Sequence, residues 1–109
     1  MINGLWTIEF SSVLNRFGSG VLVLKDGLLL GGDNGYYYSG KYNVKNDRVE
    51  GKVAITRYDP NIISVFGNMD QFSLSFAGQI THNVIDAIAS LDGKPESKIQ
   101  IKCLKKIDA

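Results

Sequence analysis

Residues that usually carry chemistry are scarce in this chain. Its 109 residues include one cysteine, Cys103, and one histidine, His82. A lone cysteine excludes an intramolecular disulfide and suits a reducing compartment, so a cytoplasmic location is expected. The single histidine sits in the turn-like segment between Thr81 and Asn83, which leaves any serine or cysteine nucleophile without an oriented base. Neither residue has a companion at metal-ligand spacing, so no metal site and no cofactor is expected. Charge of one sign is also lacking. A formal net charge of +1 gives no field for holding nucleic acid or an anionic membrane. The opening "MINGLWTIEF" lacks the basic and apolar segments of a secretory signal, and no apolar run approaches the roughly 18 residues that span a bilayer.

Two short motifs fail on inspection. "GGDNGYYY" at 31–38 lacks the alternating oxygen ligands and closing glutamate of a calcium loop. "GSGVLV" at 18–23 has two glycines of a dinucleotide fingerprint but leads into a strand, not a helix. Glu9, Asp47, Glu50 and Asp92 read as outward or in turns, away from any shared cleft. The chain is therefore expected not to be an enzyme. Lys94, Lys98, Lys102, Lys105 and Lys106 form a C-terminal basic cluster without interleaved aromatics, which reads as a solvated strand face.

What the chain does have is alternation. In "GLWTIEFSS" at 4–12, Trp6, Ile8 and Phe10 fall on one face. Val49, Gly51, Val53 and Ile55 do the same in "RVEGKVAIT", as do Phe72, Leu74 and Phe76 in "QFSLSFAGQ" and Ile99, Ile101 and Cys103 in "SKIQIKCLK". A period of two over so many segments marks strands with one buried face. Turn signals fall between them: Asp26-Gly27, Asn46-Asp47, His82-Asn83 and "LDGKPES". Eight strands follow, at about 4–11, 18–25, 28–32, 35–44, 48–57, 70–80, 83–91 and 97–106. The connection "YDPNIISVFGNMD" at 58–70 carries an apolar run between Pro60 and Gly67, room for at most one short helical turn plugging an end of the sheet.

Short antiparallel strands joined by tight turns need their edges hidden, and closure does this completely. The expected fold is all-β: residues 1–109 as one antiparallel up-and-down barrel of eight strands, lipocalin- or calycin-like, with an open sandwich as the alternative. On the strand 35–44, Tyr36, Tyr38, Gly40 and Tyr42 share the inward face and Tyr37 points out. The turn "GGDNG" before it offers glycines and an asparagine that tolerate positive φ. The tyrosines are core residues with hydroxyls at the barrel mouth, or they line a ligand cavity; Tyr37 is a candidate partner contact.

Several segments resemble the GrlR-like family, bacterial negative regulators associated with type III secretion gene expression. They are "NGLWTIEFSS" at 3–12, "SGVLVLKDG" at 19–27, "GGDNGYYYSGKY" at 31–42, "TRYDPN" at 56–61 and "SVFGNMDQFSLSFAG" at 64–78. The likeness runs in order from Asn3 to about Gly78. It implies a small lipocalin-like barrel that acts as a repressor in transcription regulation, by binding a transcriptional activator and keeping it from DNA. One branch of the family makes partner contact through an acidic run in the turn between its fourth and fifth strands. The matching turn here, "VKNDRVEG" at 44–51, has Asp47 and Glu50 as its only acids, countered by Lys45 and Arg48.

Two functions are therefore expected in competition. The first is a non-catalytic regulatory protein that sequesters a transcriptional regulator through protein–protein contact, with Lys45, Asn46, Asp47, Arg48 and Glu50 as candidate partner loop. The second is a carrier holding a small apolar or amphipathic ligand in a cavity lined by Trp6, Ile8, Phe10, Tyr36, Tyr38, Tyr42, Phe72 and Phe76. Inward aromatics argue for a filled interior, while Gly40, Gly51 and Gly78 on inward faces leave room. A homodimer is expected through outward apolar residues such as Leu5, Leu22 or Leu24, Tyr37 and Leu104. No direct binding to nucleic acid or membrane is expected.

Overall fold

The computed structural model describes residues 2–12 and 16–109. It contains eight strands and, among the described residues, no helix: β1 Gly4–Ser12, β2 Phe17–Lys25, β3 Leu28–Gly32, β4 Tyr36–Lys45, β5 Arg48–Arg57, β6 Gln71–Thr81, β7 Val84–Leu91 and β8 Lys94–Asp108. Each strand pairs antiparallel with its neighbours in sequence, and β8 returns to pair with β1, closing an up-and-down barrel. This is the fold class that the alternation predicts. No helix among the described residues is long and apolar enough to cross a membrane.

Turn chemistry sets the hairpins. Asp26 and Gly27 both have positive φ, 51° and 89°, the signature of the type I′ turn whose twist matches that of the strands it joins. Asn46 (φ 58°), His82 (φ 54°) and Gly93 (φ 84°) serve the next three tight turns. The 58–70 connection differs from expectation. It holds no helical turn; Ser64 and Gly67 instead form an isolated bridge in which each backbone N–H donates to the other's carbonyl, and Gly67 sits at φ 114°.

The inward faces meet as a continuous core. Trp6 is 0% exposed, and Tyr36, Tyr38 and Tyr42 are buried while Tyr37 is 50% exposed, so the register of β4 is the expected one. Leu22 and Leu24 are buried, opposite Trp6 and Gly4, which corrects the expectation that one of them faces out. "VLVL" is apolar on both faces, so parity alone leaves that strand ambiguous; Val21 and Val23 are the outward pair. Gly40, Gly51 and Gly78 do not open the interior. A Cβ at any of them would strike backbone of the adjoining strand, at the carbonyls of Lys52, Lys41 and Asp86, so these glycines permit close approach of strands where the wall curves.

Irregularities fall on β8. Leu5 pairs with Ile107 but Trp6 with Lys105, leaving Lys106 as an extra residue in a bulge. A second shift separates Ser90 from Leu91, and this slack takes up Pro95, which has no N–H for a ladder. The strand consequently begins at Lys94, earlier than its alternation suggests.

Candidate functional site

The two ends of the barrel are closed by different means. At one end the chain before β1 folds across the opening: Ile2 is buried, and its carbonyl accepts a hydrogen bond from Trp6 Nε1 (2.9 Å). Asn3 ties this segment to the β2–β3 turn, donating from Nδ2 to Asp26 Oδ1 (3.0 Å) and accepting at Oδ1 from Asp26 N–H (3.1 Å). The Lys105 ammonium lies 5.6 Å from the centre of the Trp6 ring and 3.0 Å from Asp108 Oδ1, so its aliphatic stem seals the base beside the indole.

At the other end the 58–70 segment lies over the opening, with Ile62, Val65, Phe66 and Met69 packed against the core. Phe66 meets Phe72 edge to face at 5.5 Å, and Phe72 meets Tyr36 at 6.0 Å. Arg57, the last residue of β5, holds this cover. It donates from Nη1 to the Ile62 carbonyl (3.0 Å) and Asn68 Oδ1 (2.7 Å), and from Nε (3.0 Å) and Nη2 (2.5 Å) to Asp70 Oδ1. The hydrogen-bonded Asp70 carboxylate raises the Arg57 pKa against a smaller opposing effect of desolvation, with Tyr36 adding in the same upward sense, so it stays charged at any accessible pH. Ile62 rests directly over Gly35, where any side chain would displace it.

The reversal into β4 is made by Asp33, not by positive-φ glycines. No residue of "GGDNG" has positive φ; Asp33 Oδ1 accepts from the N–H groups of Gly35 and Tyr36, both at 2.9 Å, in an Asx turn. Its other oxygen accepts from the Tyr38 hydroxyl at 2.5 Å, and its carbonyl from the Tyr58 hydroxyl. Tyr36 donates to the Met69 carbonyl (2.7 Å) and Tyr42 to Asn3 Oδ1 (3.4 Å). Each inward tyrosine thus has its hydroxyl engaged at one rim or the other. Burial, followed by the Asp33 hydrogen bond and charge, drives the Tyr38 pKa far above its ordinary 10.0, so this phenol has no acid–base role near neutrality.

Between the two closures lies an apolar cavity of about 180 Å³. Ile8, Phe10, Tyr36, Tyr38, Tyr42, Phe72 and Phe76 line it, as the alternation predicts. Trp6 does not: it fills the base below. Sequence reasoning missed the mouth. Phe17, 75% exposed, and Ile63, 62% exposed, stand at the opening with Asp33 and Ser64. The Asp-x-Gly spacing of the Asx turn was a readable signal for Asp33; nothing local marks Phe17 or Ile63. Cys103 also faces the cavity wall, and burial pushes its thiol from 9.0 up to about 12, as an unreactive small hydrophobe. Among the described residues, no group of three or more His, Cys, Asp or Glu side chains gathers to hold a metal ion.

The candidate partner loop lies outside the barrel at its Trp6 end. Lys45, Asn46, Asp47, Arg48 and Glu50 are all exposed, with Lys45 directly opposite Arg48 and Glu50 opposite Asn43. The Asp47 carbonyl accepts from Ile80 N–H (2.7 Å), which anchors the hairpin tip to β6. A second outer surface is apolar. Val21, Val23, Leu28, Leu30 and Tyr37 are exposed on β2, β3 and β4, and Leu104 and Ile107 continue the patch across β1 onto β8. No protein-family model matches the chain, and no curated protein matches it.

Proposed function

We propose that this chain is a non-catalytic regulatory binding protein of GrlR-like type, a repressor that sequesters a transcriptional regulator through protein–protein contact and works as a homodimer. The observation that carries this reading is where the unsatisfied surface lies. The apolar cavity under the 58–70 cover measures about 180 Å³, below the roughly 300–1,000 Å³ of pockets that bury a drug-sized ligand. The outer wall instead carries a contiguous apolar patch and an exposed charged hairpin, the two kinds of surface that protein partners use. The bacterial cytoplasm is the compartment this function requires.

The test is native mass spectrometry of the tagged protein recovered from its own host. The expected result is a complex with a DNA-binding protein and no small ligand, and loss of that partner's DNA binding when the barrel is added. Recovery of a bound species of a few hundred daltons with no protein partner refutes it.

A second reading, a carrier of small apolar molecules, is favoured by one feature, the exposed Phe17 and Ile63 beside the cavity mouth. Closed apolar cavities of about 150 Å³ admit a benzene-sized guest. Xenon or benzene binding lost on Phe76→Trp, with the fold intact, would support it.

A further inference from the structure

The outer face of the β4–β5 hairpin carries an arrangement that the barrel does not need. Lys41 stands directly opposite Lys52, and Lys45 directly opposite Arg48. All four are exposed, and among the described residues none is ion-paired. Like charges facing each other across an antiparallel pair destabilise it. The neighbouring strands offer no relief. Lys41 adjoins Leu28 on β3, Lys52 adjoins Ser75 on β6, and Arg48 adjoins Gln79. Of the surrounding acids, Asp47 lies in the hairpin's own turn, and Asp26 in the adjoining β2–β3 turn is held by Asn3 Nδ2 (3.0 Å). Asp86 faces Gln79, and Asp92 is held by the Ser75 hydroxyl at 2.7 Å; among the described residues none of these acids is ion-paired with the four cations. Between the two cationic pairs sits the pair Asn43 and Glu50.

We infer that this surface is a docking site for an extended acidic segment of a protein partner, with carboxylates at positions i and i+4 and a neutral or basic residue between. Cross-strand partners are about 5 Å apart and residues four apart along a strand about 13 Å apart, so the cations mark the corners of a narrow rectangle. An extended peptide laid along it brings each carboxylate between two cations. Its central side chain meets Asn43 and Glu50, where an acid is repelled and a lysine accepted. Glu50 also disfavours a continuous phosphate backbone, and Tyr37, the exposed aromatic on the outer face of β4, lies four residues beyond Lys41, outside the rectangle where it could stack a base against these cations. The inference rests on the sequestration reading and sets the kind of partner. Basic loops do not fit this hairpin; acidic ones do.

The probe is the capped peptide Ser-Asp-Ser-Lys-Ser-Asp-Ser, titrated into isotope-labelled protein at low salt and followed by amide chemical shifts. The expected result is shifts confined to residues 41–52, suppressed at high salt. The double variant Lys52→Glu with Arg48→Glu should weaken the apparent Kd at least about tenfold. That variant turns both like-charge pairs into opposite-charge pairs, so its melting temperature should rise by a few degrees, which separates lost binding from lost folding. Unchanged affinity in the variant, or tighter binding of a single-stranded oligonucleotide than of the peptide, overturns the inference. Peptide binding without capture of any regulator sustains this surface and counts against the function proposed above. Regulator capture that the variant leaves at full yield does the reverse.

Discussion

Single residues here act mainly by being buried in one protonation state. Cys103 is a thiol whose pKa rises from 9.0 to about 12 on folding, and the Tyr38 phenol is shifted up from 10.0 in the same sense. For both groups the fold favours the neutral form. Their contribution is therefore complete below the unfolded-state values and is lost as pH climbs from about 9 through 12, where the unfolded chain ionises and the folded chain does not. Each group adds a slope of up to about 1.4 kcal/mol per pH unit within its window. Urea denaturation between pH 8 and 11 should show stability falling with pH, and Cys103→Ala with Tyr38→Phe should flatten the curve. An equally steep curve in the double variant would assign the loss to other groups. The same burial means Cys103 should react with a thiol reagent only as fast as the barrel opens.

At the level of elements, the 58–70 cover is the part most open to change, since one side chain gathers its contacts. Arg57→Met keeps the stem but removes the bonds to Ile62, Asn68 and Asp70. Hydrogen exchange should then speed up for amides of 62–70 by about tenfold or more, with strand amides of β4 and β5 unchanged. Uniform loss of protection across the barrel would mean that the cover and wall open together. The alternating strands and their turns were legible from the chain because a period of two, interrupted by Asp26-Gly27 or Asn46-Asp47, has only one structural reading. The cover was not. Its apolar residues follow no period, and what fixes them is a cation at the end of the preceding strand reaching over the mouth. The bulges in β8 were hidden too, since Lys105 and Lys106 look alike until Trp6 selects one of them. The candidate cavity was legible wherever a strand alternates cleanly, as at Phe72 and Phe76; its rim, made of loop residues and the exposed Phe17, was not.

For the whole molecule, closure of the wall concentrates the recognition surface on side chains, because no strand edge is left to pair with another chain. The apolar patch from Ile107 across Leu5 and Val23 to Leu30 contains no charge along that row, which suits an isologous contact with a second copy. Light scattering should return a dimer mass, and Val23→Lys with Leu30→Lys should return a monomer of unchanged circular dichroism. A monomer in the parent protein would leave the patch to a different partner.

The seam between β1 and β8 sets the order in which such a wall is built. Gly4 pairs with Asp108, 104 positions along the chain, so the seam that seals the ring joins the residues most distant in sequence. Pairings so remote form slowly, because a long loop must be closed before they reward it. Until β8 is in place, β1 and β7 are bare edges, and β1 borders the apolar patch the finished barrel presents. The interval between synthesis of the first strand and arrival of the last is therefore when this chain is most exposed to aggregation, and a chaperone that shields β1 would act there.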